Sequence, residues 1–455
     1  MKKRFWYIIA AVSVLSILYS CMPFYNVPGS KSASTAKTDI AYIREDNQAL
    51  VLVAFSGGGT RAAAMSWKVL ETLKNIPYTY RDKNGAVITS NLADEIDYIS
   101  GISGGSFAAA AWCLYKNDMN IFRDRFINEN IEGDLLKRIF LPPWRGLRLI
   151  SPYYDRIHIA AEFHDKEIFD GKTFADLPSR PVLWIHATNL ALGTRFTFTD
   201  KSFDLIASDL SKYPIGYACA ASSAFPILLS PMTVINYGEP ISLMDDIDYK
   251  MAKMNAREDV EQDHYWKMRE FFNNKENKFI HLADGGLIDN QGLQSIIDEF
   301  KTNGIINKKL NDKNNPLKRL IIINVNAGVS PDDESCKHRK APPVTSVIEY
   351  TMVTSMDELS AKRWMQIKEL CQEVYKAKID IGNTTRSLSL LEEPYTIEIN
   401  FRNVKKDEDK TECYKLPTSF YLNEEQRALI DRVVPDLVRE DPDMIRLINT
   451  LEKGD

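Results

Sequence analysis

Short apolar runs rich in β-branched residues recur along the chain, separated by longer amphipathic or charged stretches. The runs are ALVLVAF, IDYIS, RPVLWIHATNL, FIHLADGG and RLIIINVNAG, and each is largely continuous instead of alternating with polar residues. Continuous runs are typical of strands buried on both faces, and the helical stretches between them supply the crossovers that parallel strands need. The pattern therefore predicts an α/β fold with a mainly parallel central sheet and helices on both faces.

Two stretches interrupt this alternation within a folded domain that we expect at residues 47–455. An insertion at about residues 118–175 contains IFLPPWRGLRLISPYYDR, which is aromatic and basic, and one at 236–277 is highly charged. The first insertion could lie against a membrane or cover a site, and an ordinary surface insertion packed on the sheet is an equal alternative.

The start of the chain has the pattern of a targeting segment. MKKRFWYIIAAVSVLSILYSC begins with basic residues and continues with an apolar run about as long as a signal-peptide core, shorter than the roughly 20 residues that span a bilayer. LYSC resembles a bacterial lipoprotein signal, which implies a signal peptide at 1–21 with Cys21 as the lipidated residue. Residues 22–46, rich in Ser, Ala, Pro and Gly, are then a flexible tether. An uncleaved short anchor and an ordinary signal peptide are the alternatives, and all of them place the domain near a membrane, outside the cytoplasm.

Composition and charge exclude several classes of partner. A net charge of −5 over 455 residues gives no reason to expect nucleic acid. The six cysteines include Cys21 and form no CxxC or Cys/His cluster, so no metal site is predicted, and no disulfide pairing can be chosen. Calcium is not implied either, since no D-x-[DN]-x-[DN]-G loop stands out.

Glycine-rich turns follow three of the apolar runs, and the first is FSGGGTR. Gly57, Gly58 and Gly59 precede a helical stretch that starts at Thr60. The P-loop spacing is absent, and Ala62 replaces the last glycine of a dinucleotide fingerprint. Because the N–H groups at a helix start stabilise negative charge, we interpret this turn as a cradle for an oxyanion.

The second turn, in YISGISGGSFAAAAW, matches G-x-S-x-G in the strand–turn–helix setting that this motif needs. Ser103 would stand at its tip, at a helix N-terminus that stabilises negative charge. The third turn, in FIHLADGGLIDNQGL, places Asp284 at a strand end before Gly285 and Gly286. Each motif alone has a plain structural alternative, a small residue in a tight bend or a simple turn.

Together, GGGTR, GISGG and DGG resemble the patatin-like phospholipases, acyl hydrolases that use a Ser-Asp dyad. The stretches ATNLALGTRFTF, ACAASSAFPILLSP and PTSFYLNEEQRALID are also similar, so the resemblance covers most of residues 47–435. It implies a patatin-like three-layer sandwich in which Ser103 is the nucleophile, Asp284 the base and the Gly57–Gly59 amides the oxyanion hole. Arg61 could support that loop or favour an anionic head group, and a salt bridge or surface position is its alternative. Ala62 departs from the further glycine common in the family.

The resemblance implies that Asp284 takes the Ser103 proton directly, that an acyl-enzyme forms, and that water completes the cycle. A carboxylate with an ordinary pKa near 3.9 is a poor base for serine, so the site must be desolvated. The implied partner is an ester lipid at the membrane surface of a bacterial cell envelope, and no cofactor is implied. Phospholipid, lysophospholipid, neutral lipid and small ester all remain open as substrates.

Two alternatives compete with this reading. His338 follows Asp284, so Ser103, Asp284 and His338 have the chain order of an α/β-hydrolase triad, although DDESCKHRKAPP is most simply a solvated loop. His186 and His281 lie in strand-like runs and are expected to be core residues. The second alternative is a catalytically silent, membrane-tethered binding protein with a hydrolase fold.

Overall fold

The computed structural model describes most of the chain between Phe24 and Glu452. The predicted signal peptide, with Cys21, and His338 lie outside the described residues, as do residues 239–265 of the second expected insertion. The described residues are 24–29, 49–81, 84–140, 147–226, 228–238, 266–272, 274–300, 304–310, 317–329, 337, 339–380 and 392–452.

One mixed sheet of eight strands forms the centre of the domain, in the order β10-β9-β1-β4-β5-β8-β7, with β6 paired to β5. Strands β10, β9, β1, β4 and β5 are parallel, whereas β6 and β8 run antiparallel to β5, and β7 runs antiparallel to β8. Strands β2 and β3 form a separate hairpin. The strands are Ala49–Phe55 (β1), Pro77–Arg81 (β2), Val87–Asn91 (β3), Tyr98–Ile102 (β4), Val182–Asn189 (β5), Thr194–Thr197 (β6), Met232–Ile235 (β7), Phe279–Asp284 (β8), Arg319–Asn326 (β9) and Tyr395–Asn400 (β10).

Helices surround the sheet, and short 3₁₀ and π-helical turns join several of them. The helices are Gly59–Lys74 (α1), Gly104–Tyr115 (α2), Asn120–Phe122 (α3), Ile131–Phe140 (α4), Arg156–Phe163 (α5), Asp200–Leu205 (α6), Ile215–Ser222 (α7), Gly286–Asp289 (α8), Leu293–Glu299 (α9), Ile305–Leu310 (α10), Val344–Asp380 (α11), Asp407–Tyr414 (α12), Glu424–Glu440 (α13) and Pro442–Glu452 (α14). Within the described part of the chain, no helix is both long and apolar enough to cross a bilayer.

Strand β1 is apolar throughout because its side chains enter two cores, one on each face of the sheet. Val51, Val53 and Phe55 enter a large core on one face of the sheet. The alternate residues of the strand, Leu50 and Leu52 among them, enter a second core on the other face, which α9 and α11 also line. Successive side chains of a strand point to opposite faces, so a strand covered by helices on both sides needs apolar residues at every position. The predicted sandwich, a mainly parallel sheet with helices on both faces, is thereby confirmed.

The region expected as an insertion at 118–175 is part of the large core in its described residues. Phe126 stacks on Phe107 of α2 at a ring-centroid distance of 4.7 Å, and Phe122 stacks on Phe126 at 5.2 Å. Phe169 also lies against Phe107. These aromatic side chains pack behind the helix that follows the serine turn, so the region stabilises that helix instead of only covering the surface.

Six residues of the expected tether, 24–29, are bound to the domain. The Asn26 side chain donates to the Ser208 hydroxyl and to the Ile235 carbonyl, both at 2.9 Å, and Phe24 packs against Tyr217. The prediction of a tether is therefore corrected for these six residues, because a buried amide side chain that pairs with backbone groups fixes the segment in place.

Candidate active site

Ser103 stands at the tip of the turn between β4 and α2. Its backbone angles, φ 47° and ψ −124°, lie in a region that residues with side chains rarely adopt, so the turn is strained. The strain is held by Ser106, whose N–H and hydroxyl both donate to the Ser103 carbonyl, at 2.9 and 2.6 Å. The side chain projects at the N-terminus of α2, and the residue is 8% exposed. This geometry matches the strained strand-to-helix turn that the sequence predicts.

Close packing between two loops explains the glycines after Ser103. A Cβ on Gly104 would overlap the carbonyl oxygen of Gly59, and a Cβ on Gly105 would lie 2.5 Å from the carbonyl oxygen of Ser56. Only residues without side chains allow the serine turn to approach the GGG loop this closely. The nucleophile candidate and the oxyanion candidate are therefore neighbours through direct backbone contact.

Asp284 ends β8 and is 4% exposed. Its Oδ1 accepts a 2.7 Å hydrogen bond from the Gly286 N–H, which fixes the carboxylate. Its own N–H donates to the Ala224 carbonyl at 2.9 Å, and its carbonyl accepts from the Thr188 hydroxyl at 2.8 Å. The carboxylate is thus held by its own turn, and the backbone of Asp284 is held by two other segments.

The structure brings Ser103 and Asp284 together on either side of β5. Strand β4 ends with Ile102 opposite His186, while the antiparallel β8 ends with Asp284 opposite Ala187, the next residue of β5. The two strands therefore approach the same level of β5 from opposite directions. The Ser103 side chain lies close enough to the Asp284 carboxylate to lower its pKa.

Burial raises the pKa of Asp284 to about 6, against the opposing effects of the Gly286 N–H and the Ser103 hydroxyl, which lower it. A carboxylate in a desolvated site resists ionisation because the charged form loses its water. At neutral pH Asp284 is mostly ionised, yet it is a stronger base than an ordinary aspartate. This is the desolvation that proton transfer from a serine requires.

The GGG loop differs from prediction at its first residue. The Gly57 N–H donates a 2.8 Å hydrogen bond to the Asn290 carbonyl, so it is already used and cannot also bind an oxyanion. The prediction that Gly57 contributes an oxyanion donor is therefore corrected. Gly58 and Gly59 have φ values of 135° and 61°, and in the described residues their N–H groups have no protein acceptor. These two amides, at the start of α1, are the donors that remain.

Arg61 is buried beneath this loop and bridges two distant segments. Its Nε donates to the Ala327 carbonyl at 2.9 Å, and its Nη1 donates to the Leu416 carbonyl at 2.7 Å. Burial lowers the pKa of Arg61 to about 10, against a smaller raising effect of Asp357. The Thr60 N–H donates to the Ser419 carbonyl at 2.8 Å, which ties the same turn to the same C-terminal segment. Arg61 thus fixes the start of α1 to the segments that contain Ala327 and Leu416.

Sequence reasoning missed two side chains that join the loops. The Ser222 hydroxyl accepts a 2.9 Å hydrogen bond from the Ser103 N–H and donates at 2.6 Å to the His186 carbonyl. The Asn290 side chain lies between Gly57 and Gly286, where a Cβ on either glycine would come within 2.9 Å of its Oδ1. The signal for Ser222 was the stretch ACAASSAFP, which is similar to the family, but nothing in that stretch shows which serine faces the turn.

Three of the described histidines, His158, His186 and His281, bond to other residues, and both ring nitrogens of the buried His164 lack a hydrogen-bond partner in the described part of the chain. His186 is fully buried, with Nε2 3.0 Å from the Ser100 hydroxyl and Nδ1 2.9 Å from the Thr197 hydroxyl, and burial holds its pKa well below the usual range. The core position expected for His186 is confirmed. His281 is instead exposed on β8, with its Nδ1 3.0 Å from the Thr233 hydroxyl, so the core position expected for His281 is wrong. Across the described residues, no group of three His, Cys, Asp or Glu side chains is placed to hold a metal ion.

Several solved structures are similar to this chain at low sequence identity. Human GIVD cytosolic phospholipase A2 shows 12% identity and a TM-score of 0.44 over 92% of this chain and 64% of that chain. Its complex with methyl gamma-linolenyl fluorophosphonate shows 13% identity and a TM-score of 0.41, over 92% and 62%. VipD from Legionella pneumophila shows 12% identity and a TM-score of 0.33, over 94% and 70%. This chain spans less than two thirds of the human enzyme's chains, and no curated protein matches its sequence.

The sequence itself matches a family model over residues 53–297, which is more than half of the chain. The description of that model is patatin-like phospholipase. The matched residues include the GGG loop, Ser103 and Asp284. The chain therefore belongs to the patatin-like phospholipases, a family of lipid hydrolases, as its motifs predict.

Proposed function

We propose that this protein is a serine acyl hydrolase of ester lipids that uses Ser103 and Asp284 as a catalytic dyad. One observation carries the proposal. The buried Asp284 carboxylate, with a pKa raised to about 6, lies beside the hydroxyl of the strained Ser103. Nucleophile and base need this combination of contact and desolvation when no histidine stands between them.

In the first half of the reaction, the Ser103 oxygen attacks the ester carbonyl carbon while Asp284 accepts the serine proton. The tetrahedral intermediate then collapses, and the bond between the carbonyl carbon and the alcohol oxygen breaks. Asp284 returns its proton to the departing alkoxide, so the alcohol leaves neutral and the acyl group stays on Ser103.

The intermediate carries a negative charge on the former carbonyl oxygen, and the loop at the start of α1 offers the donors for it. The N–H groups of Gly58 and Gly59 are not used by the described residues, and they lie next to the Ser103 turn through the contact of Gly104 with Gly59. Removing one preformed oxyanion donor from an enzyme typically costs about 10²- to 10³-fold in kcat. The N-terminus of α2 adds a favourable dipole at Ser103.

In the second half, water attacks the acyl-enzyme and Asp284 takes a proton from it. The tetrahedral intermediate collapses, the bond to Ser103 breaks, and the proton on Asp284 returns to the serine oxygen. The fatty acid is released and the dyad is restored.

We further propose that the enzyme works at a bacterial cell envelope, held to the membrane by lipid on Cys21. The lipoprotein-type motif at the start of the chain supports this location. The substrate is then an ester lipid in or near that membrane.

The test is release of fatty acid from phospholipid, lysophospholipid, neutral lipid and short p-nitrophenyl esters by the full chain in detergent. Ser103→Ala and Asp284→Asn should each abolish turnover, whereas Ser355→Ala, on the exposed face of α11, should not. A fluorophosphonate should label the parent chain and not Ser103→Ala. Loss of activity in His338→Ala would point to a triad instead, and a folded but unlabelled parent chain would favour the binding protein.

A further inference from the structure

Met356 of α11 is a buried apolar side chain outside the two cores. It is 9% exposed, and among the described residues it belongs to neither core. Its neighbours Ser355 and Asp357 are exposed, so the helix turns this side chain away from solvent. Trp364 and Ile367 enter the second core about two turns further along α11. Met356 is therefore buried by a separate contact of the helix.

The turn that carries Asp284 makes this contact. A Cβ on Gly286 would lie 2.6 Å from the Met356 methyl group. The same Cβ would lie 3.0 Å from Asp284 Oδ1, the oxygen that accepts a hydrogen bond from the Gly286 N–H. Both atoms thus lie within 3.0 Å of one point, which puts the Met356 methyl group beside the carboxylate.

Arg363 holds α11 against the same turn. Its Nη1 donates to the Ile288 carbonyl at 2.5 Å and lies 3.5 Å from Asp289 Oδ1. Ile288 and Asp289 belong to α8, which directly follows the DGG turn. Arg363 stands seven residues after Met356, about two helical turns, so the two side chains lie on one face of α11. The contact of Met356 with the turn is therefore fixed by buried polar bonds of the same helix face.

Ile102, the last residue of β4, is a second apolar side chain beside the DGG turn. A Cβ on Gly285 would lie 3.3 Å from its Cδ1, and a Cβ on Gly57 would lie 3.6 Å from its Cγ2. Ile102 is also fully buried and, among the described residues, part of neither core. Apolar side chains thus reach the turn from two elements, Ile102 from the sheet and Met356 from α11.

The titratable side chains on the elements around Asp284 have other partners. They are His186 on β5, Asp289 on α8, Arg61 on α1, and Asp357 and Arg363 on α11. His186 is neutral and bonded to two hydroxyls, and Arg363 pairs with Asp289. Arg61 donates to two backbone carbonyls and interacts electrostatically with Asp357. The largest influence on the pKa of Asp284 is burial, so the apolar side chains beside the carboxylate control its basicity.

We propose that Met356 is a positioning residue that acts through Asp284: its methyl group excludes water from the carboxylate and keeps it basic enough to accept the Ser103 proton. The proposal rests on the proposed dyad and adds a residue of α11 to it. An unbranched thioether side chain fills an irregular space beside a loop well. Met356 lies outside residues 53–297, so this control belongs to a part of the chain that the family model does not match.

The pH profile of kcat/KM for a soluble p-nitrophenyl ester tests the proposal. In Met356→Ala, water reaches the carboxylate, so the pKa of Asp284 should fall from about 6 toward 3.8 and the acid limb should move down by about one pH unit. The level above pH 7 should fall about tenfold, because the base is weaker. Met356→Leu, which keeps an apolar side chain, should retain the parent profile.

Met365→Ala is the control, since Met365 is 62% exposed on the same helix, and its profile should match that of the parent chain. An acid limb that stays in place in Met356→Ala overturns the proposal. A Met356→Leu profile that matches Met356→Ala overturns it too, because an apolar side chain at this position would then not be what keeps water out.

Urea unfolding at pH 8 separates the role of Met356 from the dyad. Asp284→Asn should raise the midpoint of the parent chain, because it removes a buried charge. In the Met356→Ala background this gain should fall to about half or less, and in the Met365→Ala background it should not change. An equal gain in all three backgrounds overturns the proposal. Failure of the dyad would appear separately, as an Asp284→Asn variant that still hydrolyses esters while its gain depends on Met356.

Discussion

The Ser103 N–H donates a 2.9 Å hydrogen bond to the Ser222 hydroxyl. This bond joins the turn that carries Ser103 to the last turn of α7. The same hydroxyl donates to the His186 carbonyl of β5, and the Ser222 carbonyl accepts from the Gly285 N–H at 3.1 Å. Ser222 is therefore bonded to the turn that carries Ser103, to the strand between the two groups of the proposed dyad and to the turn that carries Asp284. We expect it to position both groups.

Replacing Ser222 by alanine should lower kcat about 10- to 100-fold with little change in KM, because a displaced dyad loses alignment in the reaction more than in binding. Ser223→Ala is the matched control. Among the described residues, the Ser223 hydroxyl donates only to carbonyls of the preceding helix, at Cys219 and Ala220, so its loss should leave kcat nearly unchanged. Equal losses of kcat in Ser222→Ala and Ser223→Ala would show that any change at the end of α7 impairs the enzyme. Such a result would rule out a specific positioning role for Ser222.

The pH dependence of turnover should report Asp284. Its pKa is raised to about 6, and only the ionised carboxylate can accept the serine proton, so kcat/KM should be level above pH 7 and fall about tenfold per pH unit below 6. The measurement is hydrolysis of a soluble p-nitrophenyl ester between pH 4.5 and 8.5, with circular dichroism to show that the fold persists. A profile that stays level down to pH 4.5 would contradict this assignment of the base.

The sequence could predict the sheet because the strands are buried on both faces, and such runs stand out from the amphipathic helices between them. The direction of each strand could not be predicted from these runs. FIHLADGG has the character of the parallel strands, yet β8 runs antiparallel to β5, and this reversal brings Asp284 to the level of the serine turn. Direction is decided by crossover geometry, which a single run does not encode.

The catalytic candidates could be found because they stand in rigid local motifs, whereas the residues that hold them together are distant in sequence. Gly57 shows this limit, since its N–H is taken by the carbonyl of Asn290, more than two hundred residues away. Arg61 is similar, because its carbonyl partners belong to segments after β9 and after α12. A local pattern cannot show which amide remains free when the chain folds.

Gly104→Ala should abolish activity and lower the stability of the protein. The added methyl would overlap the Gly59 carbonyl, so either the serine turn or the GGG loop must move. Overpacking in a rigid site typically costs about 1 to 3 kcal/mol in the free energy of unfolding, and here the shift falls on the reacting groups. Gly85→Ala is a control for backbone strain alone, since Gly85, unlike Gly104, has a positive φ and has open space around its Cβ position. Urea unfolding and fluorophosphonate labelling of both variants check this expectation, and a fully labelled Gly104→Ala would contradict it.

Arg61→Lys should lower kcat about tenfold, although the charge is kept. Lysine has a single nitrogen and cannot replace two donors that reach the Ala327 and Leu416 carbonyls from different sides of a planar group. The start of α1 would then shift, and with it the proposed oxyanion donors at Gly58 and Gly59. Arg402→Lys, in an exposed pair with Glu398, is the control and should have no effect on kcat. If Arg61→Lys retained full activity, the bridge would be structural only.

Asp284→Asn should make the protein inactive and more stable at alkaline pH. The pKa of Asp284 is about 6 in the folded protein, against an ordinary 3.8, so the folded state disfavours the ionised form. This penalty is absent below pH 3.8, grows as the pH rises toward 6, and is complete above it. A shift of about two pH units corresponds to about 3 kcal/mol at pH 8 and to about half of that at pH 5. Asparagine keeps an acceptor for the Gly286 N–H and carries no charge.

Urea midpoints of the parent chain and of Asp284→Asn at pH 5 and pH 8 measure this difference. The variant should be the more stable protein at both values, and its advantage should be larger at pH 8. Asp436→Asn, an exposed carboxylate on α13, should change the midpoint little at either pH. An advantage that is constant with pH would mean that the carboxylate is not held out of water, and a buried base could not then explain how Ser103 loses its proton without a histidine.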